Sequence, residues 1–290
     1  MSMKHTVSYS LFHRMGQWAL YAMAALVLLF LITPLLIIIP LSFNSEPFFS
    51  ITPEMLRLEA NAFSLRWYQQ LENAPNWHHA IRNSFLIGGC ATLLATTLGT
   101  LGALGLSQPN MPCRRLIMAL LLSPMIVPVI ILAAGMFFFY APFNLTGTFS
   151  GIVLAHATLG IPFVVITVTA TLTGLNPALY RAALSLGASP WYAFRTVTLP
   201  VIRPGIATGA LFAFIASFDE IIIVLFLAGP EQRTIPREMF SGLREQINPS
   251  ILAVATLLIA FSTLFLICLH LLRRRGQRLS ARADAPPSTL

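Results

Sequence analysis

The sequence predicts an all-helical, multi-pass membrane protein, and three observations carry that prediction. Of its 290 residues, 56% are hydrophobic and 10% charged, where a soluble domain carries about a quarter charged. Six apolar stretches each supply the roughly 20 residues that a helix needs to cross a bilayer. They are Ala19–Leu41, Phe85–Leu106, Leu116–Tyr140, Phe149–Leu172, Ile206–Leu227 and Ile251–Leu272. The basic residues, finally, fall on one side. Lys4, Arg14, Arg114, Arg115, Arg181, Arg195, Arg203, Arg273, Arg274, Arg275, Arg278 and Arg282 all lie on the side of the N-terminus, opposed there by Asp284 alone. The other six Lys and Arg share the far side with seven glutamates. This positive-inside bias places both termini and the segment 176–204 in the cytoplasm. A barrel would show short alternating segments instead, and arginines spread over membrane-edge loops argue against nucleic acid as a partner.

The organisation expected is a cytoplasmic segment 1–18, a six-helix domain 19–272, and a basic, then Pro- and Ser-rich cytoplasmic tail 273–290 that should be disordered. Residues 1–18 are faintly amphipathic and read as a surface turn or helix. The first apolar stretch is too long for a signal-peptide h-region and no small-residue cleavage site follows it, so it reads as a span. Pro34 and Pro40 should kink or end it. In the outer segment 44–84, Phe63, Trp67 and Leu71 recur at helical spacing, and Pro75 breaks that run before a second helix begins. Trp67, Tyr68 and Trp77 suit the membrane interface. His78 and His79 are adjacent, point about 100° apart on a helix and have no third ligand nearby, so they make a poor metal site.

The second span carries Gly88, Gly89, Gly99, Gly102 and Gly105, which let neighbouring backbones approach. Pro124 and Pro128 should break the third span, and Pro162 the fourth; broken helices survive in a membrane where protein or a water-filled cavity covers them. Thr167, Thr169, Thr171 and Thr173 are expected to bond to their own helix. Cys90, Cys113 and Cys268 form no ligand spacing and read as packing residues. The fifth span contains Phe218, Asp219 and Glu220. Counted from Ile206, Asp219 lies roughly 20 Å into the bilayer, past its midplane. Carboxylates there cost about 2.5–3.5 kcal/mol each and normally face a partner or an aqueous path. Two readings stay open: a negative point on a cation pathway, or a salt bridge or cap at a helix break.

Between spans four and five lies a stretch with the composition of a small soluble helix pair, Asn176–Pro204. Asn176 can cap a helix that opens on Pro177, and Gly187 can end it in the left-handed conformation. Ser189 and Pro190 repeat the start, and Leu199-Pro200 should stop the second helix. Held at the cytoplasmic face, such a pair reads as a docking surface. The chain shows no P-loop, dinucleotide fingerprint, HExxH or nucleophile elbow. His156 and His270 are isolated and read as structural. An enzyme is therefore not expected, and energy for any transport must come from elsewhere.

The segment also resembles the cytoplasmic EAA loop of ABC importer permeases, in which Glu-Ala-Ala, three residues, Gly, nine residues and Ile-x-Leu-Pro follow one another. Ala182, Ala183, Gly187, Val197, Leu199 and Pro200 fit that spacing, and Arg181 stands where the family usually has Glu. The stretches FSLRWYQQL, LLLSPMIVPVIILA and ATGALFAFIASFDEIIIVLFLAGP are similar to the spermidine/putrescine-type subfamily. This resemblance implies the type I ABC importer permease fold and a multi-pass place in a bacterial inner membrane. Its implied partners are a second, homologous permease as a heterodimer, two ATPase subunits docking on the loop, and a periplasmic binding protein. ATP and Mg would be held by the ATPases, with no cofactor in this chain. Phe218, Asp219 and Glu220 would lie on the path of a polyamine, and relatives carrying opines or aminophosphonates keep other amines open. A self-sufficient secondary transporter or channel using Asp219 and Glu220 is the competing reading; it predicts inverted repeats, which are not seen, and leaves the docking pair unexplained.

Overall fold

The computed structural model describes residues 5–108, 110–245, 249–264 and 267. The tail 273–290, Cys268, His270 and the end of the expected sixth span lie outside the described residues. Among the described residues the regular structure is helical, apart from one isolated bridge between Asn44 and Phe63. In chain order the α-helices are α1 (His5–Leu41), α2 (Pro53–Leu56), α3 (Arg66–Asn73), α4 (Pro75–Leu106), α5 (Arg114–Ile126), α6 (Val129–Tyr140) and α7 (Phe149–Thr173). There follow α8 (Pro177–Ser185), α9 (Pro190–Ala193), α10 (Leu199–Phe218), α11 (Ile222–Leu227), α12 (Ile235–Glu245) and α13 (Ser250–Leu264).

Four stretches are long and apolar enough to cross a membrane: His13–Leu41, Pro75–Leu106, Phe149–Thr173 and Pro190–Phe218. Helices α5 and α6 qualify together, as one broken span or a re-entrant pair, with a bend of 108° between them. Among the described residues four or five candidate spans thus stand, where the sequence suggests six over the whole chain. Three local expectations also change. Residues 5–18 form no separate surface element, because α1 runs through them without a break. Pro162 does not interrupt α7. Leu199-Pro200 does not stop the second helix of the loop: a π-helical turn over Phe194–Thr198 joins α9 to α10, and the Leu199 N–H reaches back to the Phe194 carbonyl. A widened turn of this kind accommodates a ring that would otherwise clash with a carbonyl one turn back and a donor that proline lacks. The expected span Ile206–Leu227 accordingly begins earlier and ends at Phe218.

Contacts gather into two units, one from the N-terminus to Asn73 together with Gly242 onward, the other Ala74–Ser241. In the first unit, residues 18–37 on α1 are exposed and almost wholly apolar, as a helix facing lipid requires. The outer segment folds around Asn44, which is wholly buried. Its side-chain amide donates to the carbonyls of Phe48 and Ser50, and its backbone carbonyl accepts from the Trp67 indole at 2.6 Å. Trp67 is therefore a core residue of this segment, 4% exposed, and not an interfacial one; a buried indole needs such an acceptor.

The second unit is built on α4, α7 and α10. Small residues set their spacing. A methyl group added at Gly99 would come within 2.7 Å of Val164 Cβ, and one at Gly160 within 3.0 Å of both Ala95 and Ala213. At Gly209 it would meet the backbone Cα of Val164 at 2.8 Å. Gly88 and Gly99 thus serve close packing as the sequence suggests, whereas Gly89 and Gly105 face open space. Ala91, Ala95, Val164, Val168, Ile202 and Ala213 form one core cluster, and a second joins Ile87, Met136, Ile152, Ile223, Val224 and Leu227. The loop after α11 is tied to the start of α4: the Asn83 amide donates to the carbonyls of Glu231 and Arg233 at 2.8 and 2.9 Å, and Ser84 Oγ accepts from the Ile235 N–H at 2.8 Å.

Candidate functional site

Two places on the second unit gather the residues that the sequence singles out. The first is the loop between α7 and α10. Asn176 Oδ1 accepts from the Ala178 N–H at 2.9 Å and Pro177 opens α8, so the first turn is capped from within. At the other end Gly187 has φ +88°, the Ala188 N–H bonds to the Ala183 carbonyl and the Gly187 N–H to that of Leu184. This pair of bonds is the Schellman closure that a left-handed glycine permits. Ser189 Oγ then accepts from the Tyr192 N–H and starts α9. Helix α8 packs against α9 and the π-helical turn, giving a compact helical corner.

The motif positions divide into two sets. Arg181, Ala182, Gly187 and Pro200 are exposed, and Ala183 and Val197 half-buried. Leu199 turns inward and packs on the core that holds Ile202 and Ala213. The outer surface is apolar and aromatic, with Leu179, Leu186, Trp191 and Tyr192 each more than half exposed. The Arg181 guanidinium has no partner among the described residues.

The second place is the end of α10. The helix stops at Phe218, Asp219 is its C-cap, and α11 restarts at Ile222. Glu220 Oε1 accepts from the Ile223 N–H at 2.9 Å and so caps the new helix. Asp219 is exposed and its carboxylate has no hydrogen bond or ion pair among the described residues. Both carboxylates line a cavity of about 340 Å³ together with Pro124, Met125, Val129, Leu159, Phe163, Ile215 and Ala216. Apart from the acids its wall is apolar. Pro124 and Met125 belong to α5 and Val129 to α6, so the sharp bend at Val127-Pro128 forms one side of the cavity. Phe218 does not line it. Its ring packs instead with Phe85 and Phe214, at centroid distances of 5.4 and 5.5 Å.

The sequence had linked Pro124 to a broken span and Asp219 to a pathway, but nothing local joined the two. His156, which the sequence offers only as an isolated structural residue, is 1% exposed, and its Nδ1 lies 2.8 Å from Ser217 Oγ on the last turn of α10. Three of the four threonines in span four bond to their own helix, Thr167, Thr171 and Thr173, while Thr169 Oγ1 has no partner among the described residues. No group of three or more His, Cys, Asp or Glu is assembled among the described residues, so none of them forms a metal-binding set.

Known proteins place these features in context. The family of binding-protein-dependent transport system inner membrane components matches residues 95–278. The spermidine/putrescine transport system permease protein PotC of Escherichia coli (strain K12) is 27% identical over 84% of this chain and 90% of its own length. The putrescine transport system permease protein PotI of the same strain is 31% identical over 79% and 82% respectively. In a crystal structure of a bacterial alginate ABC transporter, in complex with an alginate pentasaccharide-bound periplasmic protein, one chain superposes with a TM-score of 0.65. It shares 19% identity and covers 89% of this chain and 95% of that one, which establishes a common fold. With its family match and its all-helical permease fold, the chain belongs to the binding-protein-dependent transport system inner membrane components, as a multi-pass permease subunit of an ABC transporter.

Proposed function

We propose that this permease subunit serves an ATP-driven importer of a small organic cation, a polyamine such as spermidine or putrescine. The observation that carries the cargo class is the bare carboxylate of Asp219, set in an otherwise apolar cavity beside a second carboxylate that is already occupied as a helix cap. An ammonium group entering there meets a counter-charge, and an anion meets repulsion. A neutral sugar finds few groups to replace its lost water. The names of the two bacterial relatives point to the same cargo.

The loop 176–200 is read as the seat of an ATPase subunit. Its exposed Leu179, Leu186, Trp191 and Tyr192 offer apolar area to bury, and Arg181 reverses one charge of the usual docking helix. The remaining assembly follows from that reading: a homologous second permease, two ATPases that hold ATP and Mg, and a periplasmic binding protein. The chain then crosses the inner membrane six times with both termini in the cytoplasm. Closure of the ATPase dimer would move α8 and, through α9, shift the cavity between outward and inward access. Purification of the chain with its partners from the native membrane, followed by reconstitution with the binding protein, tests this. ATP-dependent uptake of labelled spermidine or putrescine is expected; absence of a copurifying ATPase, or of uptake of either amine, would refute it.

A further inference from the structure

We propose that His156 is a positioning residue that, through Ser217, sets the direction in which Asp219 faces the cavity. The pair joins α7 to α10 across 61 residues of sequence at 2.8 Å, and its two members are only 1% and 4% exposed. Several other hydroxyls on these helices bond back to their own backbone, among them Thr158 to Leu154, Thr167 to Phe163 and Thr208 to Pro204. Ser217 is diverted to a neighbour instead. It sits in the last turn of α10, two residues before Asp219, where the helix ladder is about to end. The ladder's last bond runs from the Asp219 N–H to the Ile215 carbonyl at 3.0 Å, and no helix resumes until Ile222, so this turn is held from one side only and has freedom to rotate; each residue of rotation swings a side chain by about 100°. Anchoring Ser217 removes that freedom at the point where it would misdirect the carboxylate.

Packing alone does not account for an imidazole here. Whichever tautomer is present, one ring nitrogen engages Ser217 and the other, Nε2, is buried with no partner among the described residues. A leucine of similar bulk would bury no ring nitrogen and would leave the Ser217 hydroxyl to its own helix. The same face of α7 carries Gly160, tight against Ala213, and then Leu159 and Phe163 on the cavity wall. His156 thus lies on the face that holds the cavity together, one turn away from it.

This inference rests on Asp219 being the cation's counter-charge, so Asp219→Asn is measured beside the test variants. The complete complex in proteoliposomes, with saturating spermidine-loaded binding protein, is assayed for uptake per assembled complex and for spermidine moved per ATP hydrolysed. Ser217→Ala and His156→Leu should each lower both quantities roughly fivefold, the worth of one net hydrogen bond. The double variant should be no worse than the weaker single, and His156→Asn, whose amide reaches the Nδ1 position, should restore uptake to within about twofold of wild type. A loss of assembled complex with unchanged uptake per complex would reduce the pair to a structural contact and overturn the proposal. Independent, multiplying losses in the double variant, or no rescue by asparagine, would do the same. If Asp219→Asn lowers uptake but the pair does not, only the positioning role falls; if Asp219→Asn changes nothing, the cargo reading falls with it.

Discussion

Asp219→Asn is the most direct probe of the cargo. The substitution keeps the size of the side chain, removes its charge and replaces one of its two acceptor oxygens with an amide donor that an ammonium cannot use. The carboxylate is exposed to the cavity and unpaired among the described residues, so no other residue loses a partner. At an effective dielectric of about 20, an ammonium about 4 Å away is attracted by about 4 kcal/mol, of which desolvation cancels part. Hydrogen bonds to charged groups retain about 1.5–3 kcal/mol net, which translates to a roughly ten- to hundredfold slower passage. The binding protein sets how tightly cargo is captured, so the loss should appear in the maximal rate of uptake at saturating binding protein and not in its half-saturating concentration. Proteoliposomes with labelled spermidine and a quantified amount of complex measure this. Uptake within twofold of wild type would refute the idea that Asp219 meets the cation.

Other consequences are as direct. Glu220→Gln keeps an oxygen for the Ile223 N–H and should cost little in complex yield, whereas Glu220→Leu removes the cap and should cost about 1 kcal/mol, seen as a lower melting temperature. Gly187→Asn should be tolerated at φ +88°, but Gly187→Val should strain α8's closure by about 1–2 kcal/mol and reduce copurification of the ATPase. Gly209→Val, driven against the Val164 backbone, should destabilise the unit by about 1–3 kcal/mol or prevent accumulation, read from thermal melting in detergent. With Cys90 and Cys268 replaced by serine, the exposed Cys113 should react with a membrane-impermeant maleimide only in inside-out vesicles; labelling from the outside would invert the topology.

What could be read from the sequence was whatever is decided within one or two turns. Asn176, Pro177, Gly187 and Ser189 act on backbone groups a few residues away, and each does in the structure what its type demands. The charge at Asp219-Glu220 was legible as an anomaly, and so was a helix break as one of its causes; which oxygen does what depends on where α11 restarts. Pro200 misled because the rule that proline ends a helix assumes a regular ladder before it, and the widened turn at Phe194–Thr198 removes that assumption. Pro124 and Pro128 announced a break but not its angle, which is set by the neighbours that the two halves pack on. The cavity and the His156–Ser217 bond join residues from α5, α6, α7 and α10. Separations of that length leave no local trace in a single sequence.

The widened turn has a mechanical consequence. Because it joins α9 to α10 without a gap, Pro190–Phe218 is one continuous helical body of 29 residues, about 43 Å long. The exposed aromatics Trp191 and Tyr192 stand at one end and Asp219 at the other. With no gap in the helical ladder at Pro200, motion at one end is passed to the other, less whatever bending Pro204 and the widened turn allow. A tilt of about 5° about either end carries the opposite end through roughly 4 Å, comparable to the width of an ammonium group's first contacts. The stop that Pro200 would otherwise have made is where such a displacement would be lost.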